Sequence, residues 1–271
     1  MPYEKKQLPI NAICFVGVLI LFLILKSIEI FLPTWNIPIT IVKGIASSIP
    51  FGLAVFATTK RPDFFNTGFS VVLFAYLIGD ILIRINFVAG VVAFLIANLL
   101  MSGIFLRIGK FSKLQLILYL LALVVCLVIL IVFKDALGSV FYPVLVYTFV
   151  VLFMMISSLG MPPMVRIGAI LFFISDLLLG VGLTEFGNQI ISFISLGLYY
   201  IAICTLANVV YRRSLCKKRC QGFNITWHLL FSPKKLYRLQ KLELPLLDKL
   251  VLIKIAFFSV FLKNNHCWQI I

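Results

Sequence analysis

Acidic residues are scarce in this chain. Nine Asp and Glu stand against 24 Lys and Arg among 271 residues, a formal charge of +15. Histidine is scarcer, and its two copies, His228 and His266, both follow residue 211. No Walker loop, GxSxG or HExxH occurs. Serine hydrolase, zinc peptidase and nucleotide-driven pump are therefore unsupported. The six cysteines form no metal pattern: Cys14, Cys126 and Cys204 lie in apolar runs, and "CKKRC" (Cys216, Cys220) has no His or second Cys pair at ligand spacing.

Apolar side chains fill the remainder. The chain is 62% hydrophobic, with 26 Phe and a mean hydropathy of +1.14. That composition belongs to an all-α polytopic membrane protein. The basic excess lies in short loops and the tail, where it orients helices and attracts anionic lipid headgroups. Nucleic acid is not the expected partner.

Apolar runs predict eight spans, at about 10–32, 38–58, 68–86, 87–106, 115–133, 139–159, 164–184 and 189–211, each near the ~20 residues that cross a bilayer core. Turn and charge signals separate them: "LPTWNIP", "TKRPDFFN", "RINF", "RIGKFSK", "FKDALGS", "GMPP" and "TEFGN". The basic "MPYEKKQLP" precedes a run long enough to be an uncleaved first span. Lys and Arg alternate between loops so that both termini fall in the cytoplasm, which an even number of spans requires. The expected setting is a bacterial inner membrane or an intracellular eukaryotic membrane. Residues 1–211 form the membrane domain. Residues 212–271 form a basic cytoplasmic tail, whose "DKLVLIKIAFFSVFLK" reads as an interfacial segment.

Few ionisable residues enter the spans: Lys26, Glu29, Lys43, Asp80, Arg84 and Asp176. Such groups are costly in lipid and usually mark function. Lys26 and Glu29, three apart on one helix, can satisfy each other. Arg84 lies near a span end and can snorkel. Asp80 in "FAYLIGDILI" and Asp176 in "LFFISDLLLG" differ. Each falls about 12 residues into its span, each follows a small residue (Gly79, Ser175), and the separation fits two four-span halves in parallel orientation. Two carboxylates sharing a poorly solvated pocket favour one proton between them, the division that acid–base chemistry uses. A purely structural reading pairs Asp80 with Arg84 or Lys43; Asp176 has no base within a turn. Tyr76, Asn98, Tyr147, Tyr199, Tyr200 and Asn208 are further polar groups in spans, with "LYY" at 198–200 also readable as packing aromatics.

The phrases "IVKGIASSIPFGLAVFA", "LFAYLIGDILIRINFVAGVVAFLIANLL", "VYTFVVLFMMISS", "IGAILFFISDLLLG" and "LGLYYIAICTLANVV" resemble the YhhN-like membrane proteins, the lysoplasmalogenase family, across residues 10–211. The resemblance implies an eight-helix enzyme that hydrolyses the vinyl ether bond of a lysophospholipid to a fatty aldehyde and a glycerophospho-alcohol. Carried over by position, it implies Asp80 and Asp176 as the catalytic acids, with Lys43 as their neighbour. Tyr76, Asn98, Tyr147 and Tyr199 are the further residues expected to contact the substrate, and no metal or cofactor is expected. The chain departs from the family pattern at Lys43-Gly44, where that pattern has Lys-Pro, and at Asn98, near a family His. Intramembrane acids in repeated halves also describe proton-coupled carriers, and a basic tail also describes a lipid-bound scaffold. An enzyme needs a lipid-accessible cavity ending at both acids; a scaffold needs the acids dry and ion-paired.

Overall fold

The computed structural model describes residues 8–32, 34–109, 111–184 and 187–230. Among them the chain is helical throughout: α1 (Leu8–Phe31), α2 (Asn36–Lys60), α3 (Phe64–Ile85), α4 (Phe87–Ile108), α5 (Lys113–Val132), a short α6 (Lys134–Leu137), a 3-10 turn (Gly138–Val140), α7 (Phe141–Ser158), α8 (Pro163–Gly182) and α9 (Gln189–Leu230). Eight stretches are long and apolar enough to cross a membrane; the sixth joins α6 to α7 and the eighth is the Gln189–Leu215 part of α9. The expected interfacial segment at 248–263, His266 and Cys267 lie outside the described residues.

Side-chain caps set the helix ends. Asp63 caps α3 by accepting the Asn66 amide at 2.9 Å, so the helix starts four residues before the expected span. The break at "RINF" is one residue long. Asn86 ends α3 and starts α4, its Oδ1 accepting the Ala89 amide at 3.1 Å. This hairpin closes tightly because position 90 is glycine: a Cβ there would sit 2.4 Å from the Ile83 Cα. Ser112 and Gln115 form a capping box on α5. Gln115 is also the one buried residue of α5, and its Nε2 donates to the Ile156 carbonyl at 3.1 Å, which ties α5 to α7. The rest of α5 is exposed or half-buried, as a helix with a largely apolar surface can be in lipid. Gly138 turns the chain before α7 at φ 51°.

Neighbour relations repeat along the chain. α1 packs on α2, α2 on α3 and α3 on α4; correspondingly α5 packs on α7 and α7 on α8, while α4 against α7 joins the two sets. The α8–α9 contact is close at Gly168, where a Cβ would meet Leu206 at 2.9 Å. Higher up it is zipped by two serines: Ser175 Oγ donates to the Ser195 carbonyl at 2.9 Å and Ser195 Oγ to the Ser175 carbonyl at 2.8 Å. In the centre Tyr76 of α3 stacks on Phe172 of α8 with ring centroids 4.8 Å apart. Residue contacts divide the chain between Tyr211 and Arg212.

The helix bounds correct the expected depth of the two acids. Asp80 lies 16 residues after the start of α3 and Asp176 13 after the start of α8, so they are roughly 24 and 20 Å from those starts rather than 18 Å. Measured from the other end they agree, five and six residues before their helices finish. The pair sits toward the end of the bundle where α3 and α8 terminate.

Gly90→Ala places a methyl against backbone that cannot move aside, and should cost about 1–3 kcal/mol. Gly103→Ala, where a Cβ meets nothing within 4 Å, should be neutral or stabilise by up to ~1 kcal/mol. Thermal unfolding of the two purified variants beside the parent checks both; equal behaviour would show that the α3–α4 hairpin is not tightly closed.

Candidate active site

α2 places Lys43 and Ser47 one turn apart on one face. Both reach the buried carboxylate of Asp80 on α3. Lys43 Nζ lies 3.0 Å from Oδ1 as an ion pair, and Oδ1 has no hydrogen-bond donor beyond it. Oδ2 accepts from Ser47 Oγ and, from α9, from Tyr199 OH at 2.7 Å. Three side chains from two other helices thus satisfy one charge that is 1% exposed. Arg84, the alternative partner one turn along α3, bonds Glu29 on α1 instead. Lys26 pairs with Glu29 at 2.8 Å, as the spacing predicts.

Asp176 is held differently. Its Oδ2 accepts from Tyr147 OH of α7 at 2.6 Å. Among the described residues no cation lies within ion-pair distance of it. Tyr147 OH in turn accepts from Asn98 Nδ2 at 3.1 Å, and Asn98 Oδ1 accepts from Tyr76 OH at 2.8 Å. A hydrogen-bonded line therefore runs Tyr76, Asn98, Tyr147, Asp176, drawing on α3, α4, α7 and α8. Asn98 uses one acceptor and one donor here, the pattern a neutral imidazole also offers. Unlike an imidazole, it cannot carry a proton near neutral pH.

The two acids are served in parallel ways. Each accepts from a hydroxyl on the span before its own, Ser47 for Asp80 and Tyr147 for Asp176. Each is also tied to the fourth span of the other set, directly through Tyr199 or by way of Asn98 and Tyr147. The small residues before the acids serve other contacts than the one expected. Gly79 faces Phe94 of α4, where a Cβ would come within 3.0 Å, and Ser175 zips α8 to α9. Neither brings α3 directly against α8, which meet through the Tyr76 and Phe172 rings.

One cavity of about 560 Å³ borders both acids, together with Lys43, Tyr147 and Tyr199. Its walls are apolar, with Val91 and Phe94 from α4, Ile129 and Leu130 from α5, and Val144 from α7. Every residue from 177 to 184 also borders it. A helix turns through 100° per residue, so consecutive residues cannot all face one interior space. The cavity therefore passes around the end of α8, and lightly packed α5 supplies part of its wall. Tyr76 and Asn98 do not border it. They are 1% and 0% exposed and reach Asp176 through Tyr147 rather than lining the cavity themselves. Tyr200 and Asn208 also lie outside its lining.

Sequence reasoning missed Ser47, although its position four residues after Lys43 placed it on the same face. It also set aside Lys26, Glu29 and Arg84, which border the cavity. Among the described residues no group of three His, Cys, Asp or Glu can hold a metal, and Cys14, Cys126 and Cys204 are free thiols.

Lys43→Met removes the cation from a buried carboxylate and should destabilise the protein by ~3–5 kcal/mol. Adding Asp80→Asn should restore most of the loss, because the uncompensated charge is gone. Unfolding midpoints of the single and double variants test the pair; additive losses would mean that the two side chains do not interact.

The model of the YhhN family matches residues 46–210, well over half of the chain, and covers both acids and every residue that bonds them except Lys43. The chain belongs to the YhhN family. No curated protein and no solved structure matches it.

Proposed function

We propose that this YhhN-family membrane protein is a lysoplasmalogenase-like hydrolase. It takes a one-chain phospholipid from the bilayer and cleaves the vinyl ether that joins chain to glycerol. The observation that carries this reading is one largely apolar cavity that borders two carboxylates in unlike settings. An apolar chain fits the α4, α5 and α7 walls, and the acids lie where its polar end arrives.

The two settings divide the chemical work. Asp176, with a neutral tyrosine as donor and no cation, is the proton donor. Asp80, held by Lys43, Ser47 and Tyr199, stays ionised. Asp176 delivers its proton to the β-carbon of the vinyl ether, the double bond supplies the electron pair, and an oxocarbenium ion forms. Asp80 stabilises that cation, as one of two carboxylates does in glycoside hydrolysis. Water adds at the α-carbon and returns a proton to Asp176. The resulting hemiacetal breaks its bond to the glycerol oxygen, giving aldehyde and alcohol. The overall change is addition of one water, and no oxidant or reductant is consumed. Tyr147 positions Asp176, and Asn98 and Tyr76 position Tyr147.

The basic loop residues Arg61, Arg107 and Arg166 lie at the end of the bundle opposite the acids. With basic loops facing the cytoplasm, the cavity belongs to the non-cytoplasmic half of the membrane.

The test is aldehyde release from a lysoplasmalogen by purified protein. Asp80→Asn and Asp176→Asn should each lower the rate by about 10²–10⁴-fold, with folding verified by thermal unfolding. Tyr147→Phe, which keeps the ring and removes the donor to Asp176, should fall between these and the parent. A folded parent that releases no aldehyde, or an Asp176→Asn form that releases it normally, would overturn the proposal. Proton-coupled uptake by the same protein in vesicles would then favour a carrier.

A further inference from the structure

Lys26, Glu29 and Arg84 border the cavity but take no part in the chemistry above. Glu29 binds both cations, Lys26 through Oε2 at 2.8 Å and Arg84 through Oε1. Lys26 Nζ also donates to Ser192 Oγ on α9 at 2.9 Å. The Lys26 side chain is 8% exposed and that of Arg84 34%. Two cations therefore share one carboxylate in a largely desolvated place, where excess charge is costly and calls for a counter-ion.

The ionisable groups bordering the whole cavity sharpen this. There are three cations, Lys26, Lys43 and Arg84, and three acids, Glu29, Asp80 and Asp176. Lys43 belongs to Asp80. When Asp176 carries a proton, one positive charge is left over, and it resides at the Lys26–Arg84 pair. A ligand with a single negative charge neutralises it.

We infer that Lys26 and Arg84 form a subsite for a phosphodiester monoanion, the headgroup phosphate of a one-chain lipid whose tail lies in the cavity. Arg84 follows Asp80 by one turn, so the two are offset by about 6 Å along α3. An extended glycerol backbone places its phosphorus five bonds from the ether oxygen, again about 6 Å at ordinary bond lengths. A phosphate at Arg84 thus sets the ether beside the acids. The guanidinium offers a two-pronged donor to phosphate oxygens, and the ammonium adds a point charge. Glu29 competes with the ligand for both. The identity of the lipid as substrate rests on the proposed hydrolysis; the anion subsite does not.

Binding to the full chain in detergent tests the subsite with two non-cleavable probes. One is a saturated 1-O-alkyl-glycerophosphoethanolamine, the other the matching 1-O-alkylglycerol, which lacks phosphate. Arg84→Gln and Lys26→Gln should each weaken the first probe about tenfold and leave the second unchanged, so alkylglycerol binding reports an intact cavity. Glu29→Gln should tighten the phosphate probe, a gain that damaged folding cannot mimic. Equal losses for both probes, or no gain in Glu29→Gln, would overturn the subsite. Displacement of the phosphate probe by millimolar inorganic phosphate would assign recognition to the phosphate group alone; resistance to it, with the variant effects present, assigns it to phosphate presented on a lipid. Neither probe has a vinyl ether, so the outcome is independent of aldehyde release. A protein that binds as expected yet releases no aldehyde refutes the reaction and keeps the subsite.

Discussion

A carboxylate 1% exposed inside a membrane bundle is the constraint on which the rest of the site depends. Such a charge cannot be left to lipid, and its satisfaction draws in partners from several elements. Lys43 and Ser47 commit α2 to a fixed rotation against α3. Tyr199 commits α9 to reach the same point. Once these helices are registered on Asp80, the aromatic group of Tyr76, Phe94, Phe172 and Tyr199 fills the space around it, with centroid separations of 4.8–6.0 Å. The ion pair is less a source of stability than a determinant of which helix faces which, the role best attested for buried polar groups.

Asp176 shows the converse. Without a cation it is joined to the bundle by one tyrosine, itself oriented by Asn98. Two similar sequence phrases thus yield two unlike sites, because their surroundings come from different helices. The proposed reaction uses that inequality, with one carboxyl keeping a charge while the other handles a proton. A related sharing occurs elsewhere on the cavity wall, where a single Glu29 divides itself between Lys26 and Arg84.

Much of this was legible from the residues. Apolar run length settled eight spans, and cost in lipid singled out Asp80, Asp176 and Lys43. Helical spacing paired Lys26 with Glu29. Three readings went astray for a common reason. Arg84 was one of two partners offered for Asp80, a small residue before each acid was read only as room for close packing, and Tyr76 and Asn98 were placed beside the ligand, where the cavity does not reach them. Each depends on which neighbour lies across from a side chain, and periodicity along one helix carries no information about the helix opposite. The depth error has a local origin instead: Asp63 is a good cap, and it starts α3 earlier than hydropathy alone indicates.

Sequence by itself determined the class of the molecule, the number of its spans and the residues too expensive to be idle, since all three follow from transfer of side chains between water and lipid. Tertiary structure decided the partners. Lys43 rather than Arg84 neutralises Asp80, Tyr147 rather than a base holds Asp176, and α5, though sparingly packed, supplies part of the cavity wall. Those outcomes depend on how helices distant in sequence rotate and approach, which is set by packing across the bundle rather than by composition along the chain.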